Sequence, residues 1–185
     1  MKCLVACEYS GLVRDALIRK GHDAISCDLL PSESPGPHYR GNVLEIIDQN
    51  FDLMIAFPPC THLAVSGARW FPFKQKEQQE AIEFFLRLVN ANISKIAIEN
   101  PIGIMSTVYR KPDQIVQPYW FGDKFNKKTA IWLKNLPKLV PTNIVDGGEY
   151  VIHGGKRIPK WYSNRTRKRD LTFLGLASAM ADQWG

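Results

Sequence analysis

The chain has 185 residues, 45% of them hydrophobic and 23% charged, a balance that excludes a disordered or fibrous chain and suits one globular core. No apolar run approaches the length that spans a bilayer, and Met1-Lys2-Cys3 leads straight into a strand-like run. Neither membrane insertion nor a signal peptide is therefore expected, and the expected location is the cytoplasm. The four cysteines (Cys3, Cys7, Cys27, Cys60) fit neither a disulfide framework nor zinc spacing, so reduced thiols and no metal are expected. A net charge of +6 and a pI near 9.2 permit a polyanionic partner without requiring one.

In chain order, Lys2 to Cys7 reads as a short apolar strand and Glu8-Tyr9-Ser10-Gly11 as a turn. Leu12 to Lys20 has helical spacing, closed by Gly21 as a left-handed cap. Ala24 to Cys27 reads as a second strand ending in Asp28. Strand, tight turn, helix, strand and acid form the βαβ layout that suits a nucleotide or cofactor site, with Asp28 placed for a ribose diol or merely opening a loop. Residues 31–36 form a loop, and Gly41-Asn42-Val43-Leu44 reads as the approach to a third sheet position. Asp52 to Cys60 is an apolar run stopped by Pro58-Pro59, which predicts a buried parallel strand with Cys60 just beyond its carboxyl end. Ligands bind at that edge in open α/β sheets, so Cys60 is either a nucleophile or a core thiol in a strand-ending turn.

Ala68 to Phe73 is an aromatic, basic loop, either a surface loop or a lid. Gln75 to Asn92 is the longest predicted helix, with Ala81, Phe84, Phe85, Leu88 and Val89 as a core stripe. Ser94 to Ile98 reads as a fifth strand, ending in Glu99-Asn100-Pro101. A carboxylate at that end is commonly a solvated terminus; beside a thiol nucleophile it can bind or protonate the group under attack. Lys156, Arg157, Lys160, Arg165, Arg167, Lys168 and Arg169 form a basic stretch with Trp161 and Tyr162 interleaved, which is either a solvated face or a nucleic-acid surface. Leu174 to Trp184 reads as a closing amphipathic helix, expected to pack beside the first strand near the turn.

A thiol after Pro-Pro on the fourth strand and a Glu-Asn on the fifth resemble the C5-cytosine DNA methyltransferase family. The resemblance runs in order along much of the chain. Glu8-Tyr9-Ser10-Gly11 stands where the family has its glycine-rich cofactor turn, Asp28 where it has the ribose acid, and Asn42 where an aspartate contacts adenine. Pro59-Cys60 matches the nucleophile motif and Glu99-Asn100 the base-binding motif. Lys127 and Lys128, in Phe125 to Thr129 before a strand-like Ala130 to Leu133, fall where the family has arginines. Glu8 and Ser10 replace glycines, and the lysines keep charge without the planar fork.

The resemblance implies a class I S-adenosylmethionine-dependent methyltransferase (Rossmann-like) α/β fold, a mostly parallel sheet with helices on both faces. It implies cofactor binding by Glu8, Tyr9, Ser10, Gly11, Asp28, Leu29, Asn42 and Pro58, and catalysis by Pro59, Cys60, Glu99, Asn100, Lys127 and Lys128. Only residues 137–164 are available for a target-recognition domain. Residues 1–185 are thus expected to form one catalytic domain, as in short phage-encoded relatives, in a host cytoplasm if that origin holds. The partner is then DNA, single-stranded or distorted, gripped by Arg69 and the basic stretch, with a homodimer as another way to hold a duplex. A cytosine nucleotide at the dCMP level and a catalytically silent DNA-binding decoy on the same fold are the competing readings.

Overall fold

A computed structural model describes residues 1–65, 72–159 and 173–185. Its centre is a seven-stranded sheet in the order β3-β2-β1-β4-β5-β7-β6. The strands are β1 (Lys2–Ala6), β2 (Asp23–Asp28), β3 (His38–Arg40), β4 (Leu53–Ala56), β5 (Lys95–Pro101), β6 (Gln114–Val116) and β7 (Thr129–Lys134). The first five are mutually parallel, and β7 runs antiparallel between β5 and β6. A separate hairpin pairs β8 (Tyr150–His153) with β9 (Lys156–Pro159).

Strand side chains alternate between two apolar layers. Leu4, Ala6, Met54, Ala56, Ile96 and Ile98 pack toward Ile82, Phe85, Leu88 and Val89 of α2 (Gln75–Val89). Cys3, Val5, Leu53, Ile55 and Ala97 pack on the opposite face, toward α1 (Leu12–Arg19) and the last helix. That helix follows a short α3 (Met105–Val108) and is designated α4 (Leu174–Trp184). α4 joins α1 in the layer over β1, as expected, and their Lys20–Asp182 ion pair at 2.5 Å is exposed, so it adds little. Helices therefore cover both faces of a mostly parallel sheet.

Several predicted boundaries move, each for a local reason. β1 stops at Ala6 because Cys7 turns into the left-handed region (φ 58°). The segment after β3 is a 3-10 turn over Val43–Glu45 rather than a strand approach, capped by the Asn42 side chain. α2 ends at Val89, where the Asn90 amide bonds the Leu86 carbonyl. β5 runs on to Pro101, since β7 pairs along its whole length, so Glu99 and Asn100 lie inside a strand. Among the described residues no helix is long and apolar enough to cross a membrane.

Candidate functional site

The sheet order turns at β1, which pairs β2 on one side and β4 on the other. The crevice beyond the carboxyl ends of such strands is the usual ligand site of open α/β sheets. Here it is a cavity of about 280 Å³. Cys7, Cys27 and Asp28 contribute one side, Asn42 and Val43 another, and Pro59 and Phe84 the third. Leu29, 71% exposed, sits at the rim.

Beneath the cavity the β1–α1 turn is held by its own side chains. Glu8 folds inward, its Oε1 accepting from Ser10 Oγ at 2.6 Å and from Val13 N at 3.2 Å. Ser10 Oγ accepts in turn from Leu12 N at 3.3 Å. Both side chains cap α1, whose first N–H groups would otherwise lack partners. Glu8 Oε1 and Ser10 Oγ are thus engaged within the turn, and neither residue lines the cavity. Gly11 opens the helix at φ 78°, and a Cβ there would strike Arg14 and Ser34. Glu8 Oε2 is buried without a hydrogen bond, and burial raises the carboxyl above the usual range against the pull of Ser10, Val13 and Arg14. Tyr9 is half-buried and its carbonyl accepts from Glu33 N at 2.8 Å.

The fully buried Arg14 secures the loop beyond β2. Its guanidinium donates to Ser26 Oγ, Ser32 Oγ and the carbonyls of Ser34 and Pro35, all within 3.1–3.2 Å, and pairs with Asp15 at 2.7 Å. Asp28 Oδ1 accepts from Leu30 N at 2.9 Å, which leaves its second oxygen for a ligand. Asn42 Oδ1 accepts from Leu44 N at 3.0 Å, which leaves its NH2 as a donor.

The second half of the site is the edge shared by β4 and β5. Ala56 pairs with Ile98, so the next residues, Phe57-Pro58 and Glu99-Asn100, lie side by side. Asn100 Nδ2 donates to the Pro58 carbonyl at 2.8 Å. Pro58 is buried in this tie, and Pro59 rather than Pro58 lines the cavity. Cys60 opens a tight turn, its carbonyl accepting from Leu63 N and Ala64 N at 3.0 and 2.9 Å. Leu63 O accepts from Ile104 N at 2.9 Å, and Ala64 bridges Gly103. A Cβ on Gly103 would fall inside the Leu63 carbonyl, so only glycine permits this approach. The proline end, the thiol and the Glu99 strand are thereby one fastened unit, with Cys60 and Glu99 both half-buried.

No family model matches this sequence, and no curated protein does. Solved structures do. A candidate DNA modification methyltransferase encoded within a prophage of E. coli superposes with a TM-score of 0.53 at 18% identity, over 78% of this chain and 51% of that one. The Entamoeba histolytica methyltransferase EhMeth gives a TM-score of 0.53 at 14% identity, over 77% and 57%. The chain has the Rossmann-like fold of methyltransferases. It spans about half the length of the solved relatives it matches.

Within this methyltransferase fold the sequence did not single out Cys7, Cys27, Gly41, Val43 or Phe84 as cavity-lining residues, nor Thr129 as a partner of Glu99. Phe84 belongs to the helical stripe expected to be core, yet it is half-buried and forms a cavity wall, while Ile82 takes the buried place. Thr129, the first residue of β7, donates its hydroxyl to Glu99 Oε1. Position 129 faces β5 only through the antiparallel register, which no local pattern reveals; a hydroxyl at a strand start beside the lysine pair was the available hint.

The lysines themselves differ from expectation. Lys127 lays its ammonium over the Phe173 ring, 5.7 Å from the centroid, and Lys128 is exposed. From this segment it is Thr129 that bonds Glu99. Of the four thiols, burial pushes Cys3 to about 11, Cys27 to about 12 and Cys7 higher still, which suits inert packing groups. Lys156 and Arg157 are exposed on β9, with the Arg157 guanidinium 4.1 Å from the Tyr150 ring centre. Arg69, Lys160, Arg165, Arg167, Lys168 and Arg169 lie outside the described residues, as does most of the loop expected as a lid.

Proposed function

We propose that this chain is an S-adenosylmethionine-dependent DNA cytosine-C5 methyltransferase in which Cys60 is the nucleophile and Glu99 the group that holds the pyrimidine. The observation that carries the reading is the fastening of the Cys60 turn to the Glu99 strand, with Pro59 in the wall of the cavity. One pyrimidine lying at that edge would be within reach of the thiol and the carboxyl together, and of whatever fills the cavity.

The cavity suits an adenosyl group. Its walls are largely apolar and include the Phe84 ring, with an Asp28 oxygen placed for a diol and the Asn42 NH2 for a ring acceptor. S-adenosylmethionine, when bound, supplies an electrophilic methyl group for C5. The protein's part is to make C5 a nucleophile. Addition of the Cys60 thiolate forms an S–C6 bond, and Glu99 gives a proton to N3, so that electron density moves to C5. After C5 has been methylated it loses its proton, to a water in this reading. The S–C6 bond then breaks, the N3 proton returns to Glu99, and one proton is released in all.

Arg157 and Lys156 would meet phosphates. Without a large recognition domain in this segment, single-stranded or distorted DNA avoids the few kcal/mol that base flipping costs in a duplex. The test is a single-stranded oligonucleotide carrying 5-fluorocytosine, incubated with S-adenosylmethionine and analysed by intact mass. A covalent adduct that is lost in Cys60→Ser is the expected result. Absence of adduct with the intact protein overturns the mechanism. An adduct with fluorinated dCMP but not with the oligonucleotide would move the substrate to the free nucleotide.

A further inference from the structure

We infer that Thr129 is the positioning residue for Glu99, setting which carboxyl oxygen faces the pyrimidine. This rests on the cytosine reading of the site. Thr129 is 2% exposed, begins β7 and stands opposite Pro101, the last residue of β5. Its hydroxyl has two acceptors in reach, Glu99 Oε1 and the more distant Asn100 carbonyl at 3.4 Å. A hydroxyl carries one proton, and a carboxylate is the stronger acceptor, so the bond to Oε1 prevails. Glu99 is only half-buried, and its χ angles would otherwise let the carboxyl swing toward solvent.

Thr129 supplies what a cationic partner would supply for geometry, without the charge. Oε1 is occupied, so Oε2 is left for the ring nitrogen and the exocyclic amine. The neighbouring lysines do not provide this contact: Lys127 is set over Phe173 and Lys128 is exposed. β-Branching stiffens the hydroxyl's own rotamer, and its neighbour Asn100 is fixed by the Pro58 carbonyl. The carboxyl is therefore oriented before any substrate arrives.

The test compares Thr129→Val, which keeps the shape and removes the donor, with Thr129→Ser, which keeps the donor. The full chain is labelled with 13C at glutamate carboxyls, and the Glu99 signal is assigned by its loss in Glu99→Gln. The expected result is a displaced Glu99 signal in Thr129→Val and a signal near the wild-type position in Thr129→Ser. With S-adenosylmethionine and oligonucleotide, Thr129→Val should lose about ten- to a hundredfold in kcat with KM within about threefold, and Thr129→Ser should recover most of it. An unmoved signal in Thr129→Val, or equal loss in both variants, overturns the inference. Thr129→Ala replaces the valine variant should that one fail to fold. The carboxyl signal decides the positioning role even if the wild-type protein methylates nothing, an outcome that would sink only the cytosine reading.

Discussion

Glu8 shows how a single side chain sets a cost that depends on pH. Its carboxyl is 3% exposed, and one oxygen caps α1 while the other has no hydrogen bond. Burial lifts its pKa above the ordinary 4.5 in the folded protein. A group bound more tightly to its proton when folded contributes stability that is present below the unfolded pKa and is lost as pH rises through the folded one. Stability of the native chain should accordingly fall relative to a Glu8→Gln variant as pH climbs from about 4.5 upward, and the gap should stop widening once Glu8 is ionised in both states. Urea midpoints across pH 4 to 8 measure this directly. A constant difference between the two proteins would mean that Glu8 is hydrated or paired in the folded state. Glutamine retains the Oε1-type acceptor for Ser10 and Val13, so the slope isolates the charge.

At the scale of elements, the turn that carries Cys60 depends on a glycine distant in sequence. Gly103 lets the chain after β5 lie against the Leu63 carbonyl, and the Leu63–Ile104 and Val65–Ile102 hydrogen bonds follow from that approach. Gly103→Ala must separate the two segments. Overpacking of this kind costs about 1–3 kcal/mol, and a chain of this length loses roughly 2–4 °C of Tm per kcal/mol. The expected variant folds, melts about 2–12 °C lower by calorimetry and forms the Cys60 adduct more slowly. An unchanged melt would show that the loops already part with ease.

The strands were legible because buried parallel strands read as bounded apolar runs, and the strand-ending prolines marked the chemical edge. What stayed hidden was set by pairings distant in sequence: Thr129 meets Glu99 only through the β5–β7 register, and Gly103 meets Leu63 only through loop packing. Glu8 and Ser10 could be placed in a turn, but not inward or outward. Phe84 both packs against the core and lines the cavity, and a helical stripe does not say where the one ends and the other begins. The β8–β9 hairpin carries a local signal of its own. Gly154-Gly155, both at positive φ, joins Tyr150–His153 to Lys156–Pro159, and such a glycine pair is a signature of a two-residue hairpin turn.

For the whole molecule, the proposed DNA substrate poses the question of how a basic chain that spans about half the length of its solved relatives would hold a polyanion. A net charge of +6 favours polyanions in general, but in the proposed reaction only charges fixed near the site could register a base at Cys60. The β8–β9 hairpin is tied to the segment that leads into Thr129. Arg157 stacks on Tyr150, and the Tyr150 hydroxyl is held by the Asn126 amide, three residues before Thr129. Lys156 stands on the adjoining register position, opposite His153. If both cations contact phosphates, the double variant Lys156→Ala/Arg157→Ala releases two fewer counterions on binding. For single-stranded DNA the slope of log K against log salt should then flatten by about 1.4, at about 0.7 per contact. Fluorescence anisotropy of a labelled cytosine-containing strand over a salt series measures the slope. Adduct formation at saturating DNA should be unaffected, because neither cation touches the Cys60 turn. An unchanged slope would take the hairpin out of the DNA path, whereas lost adduct at saturation would make it part of the chemistry instead of the grip.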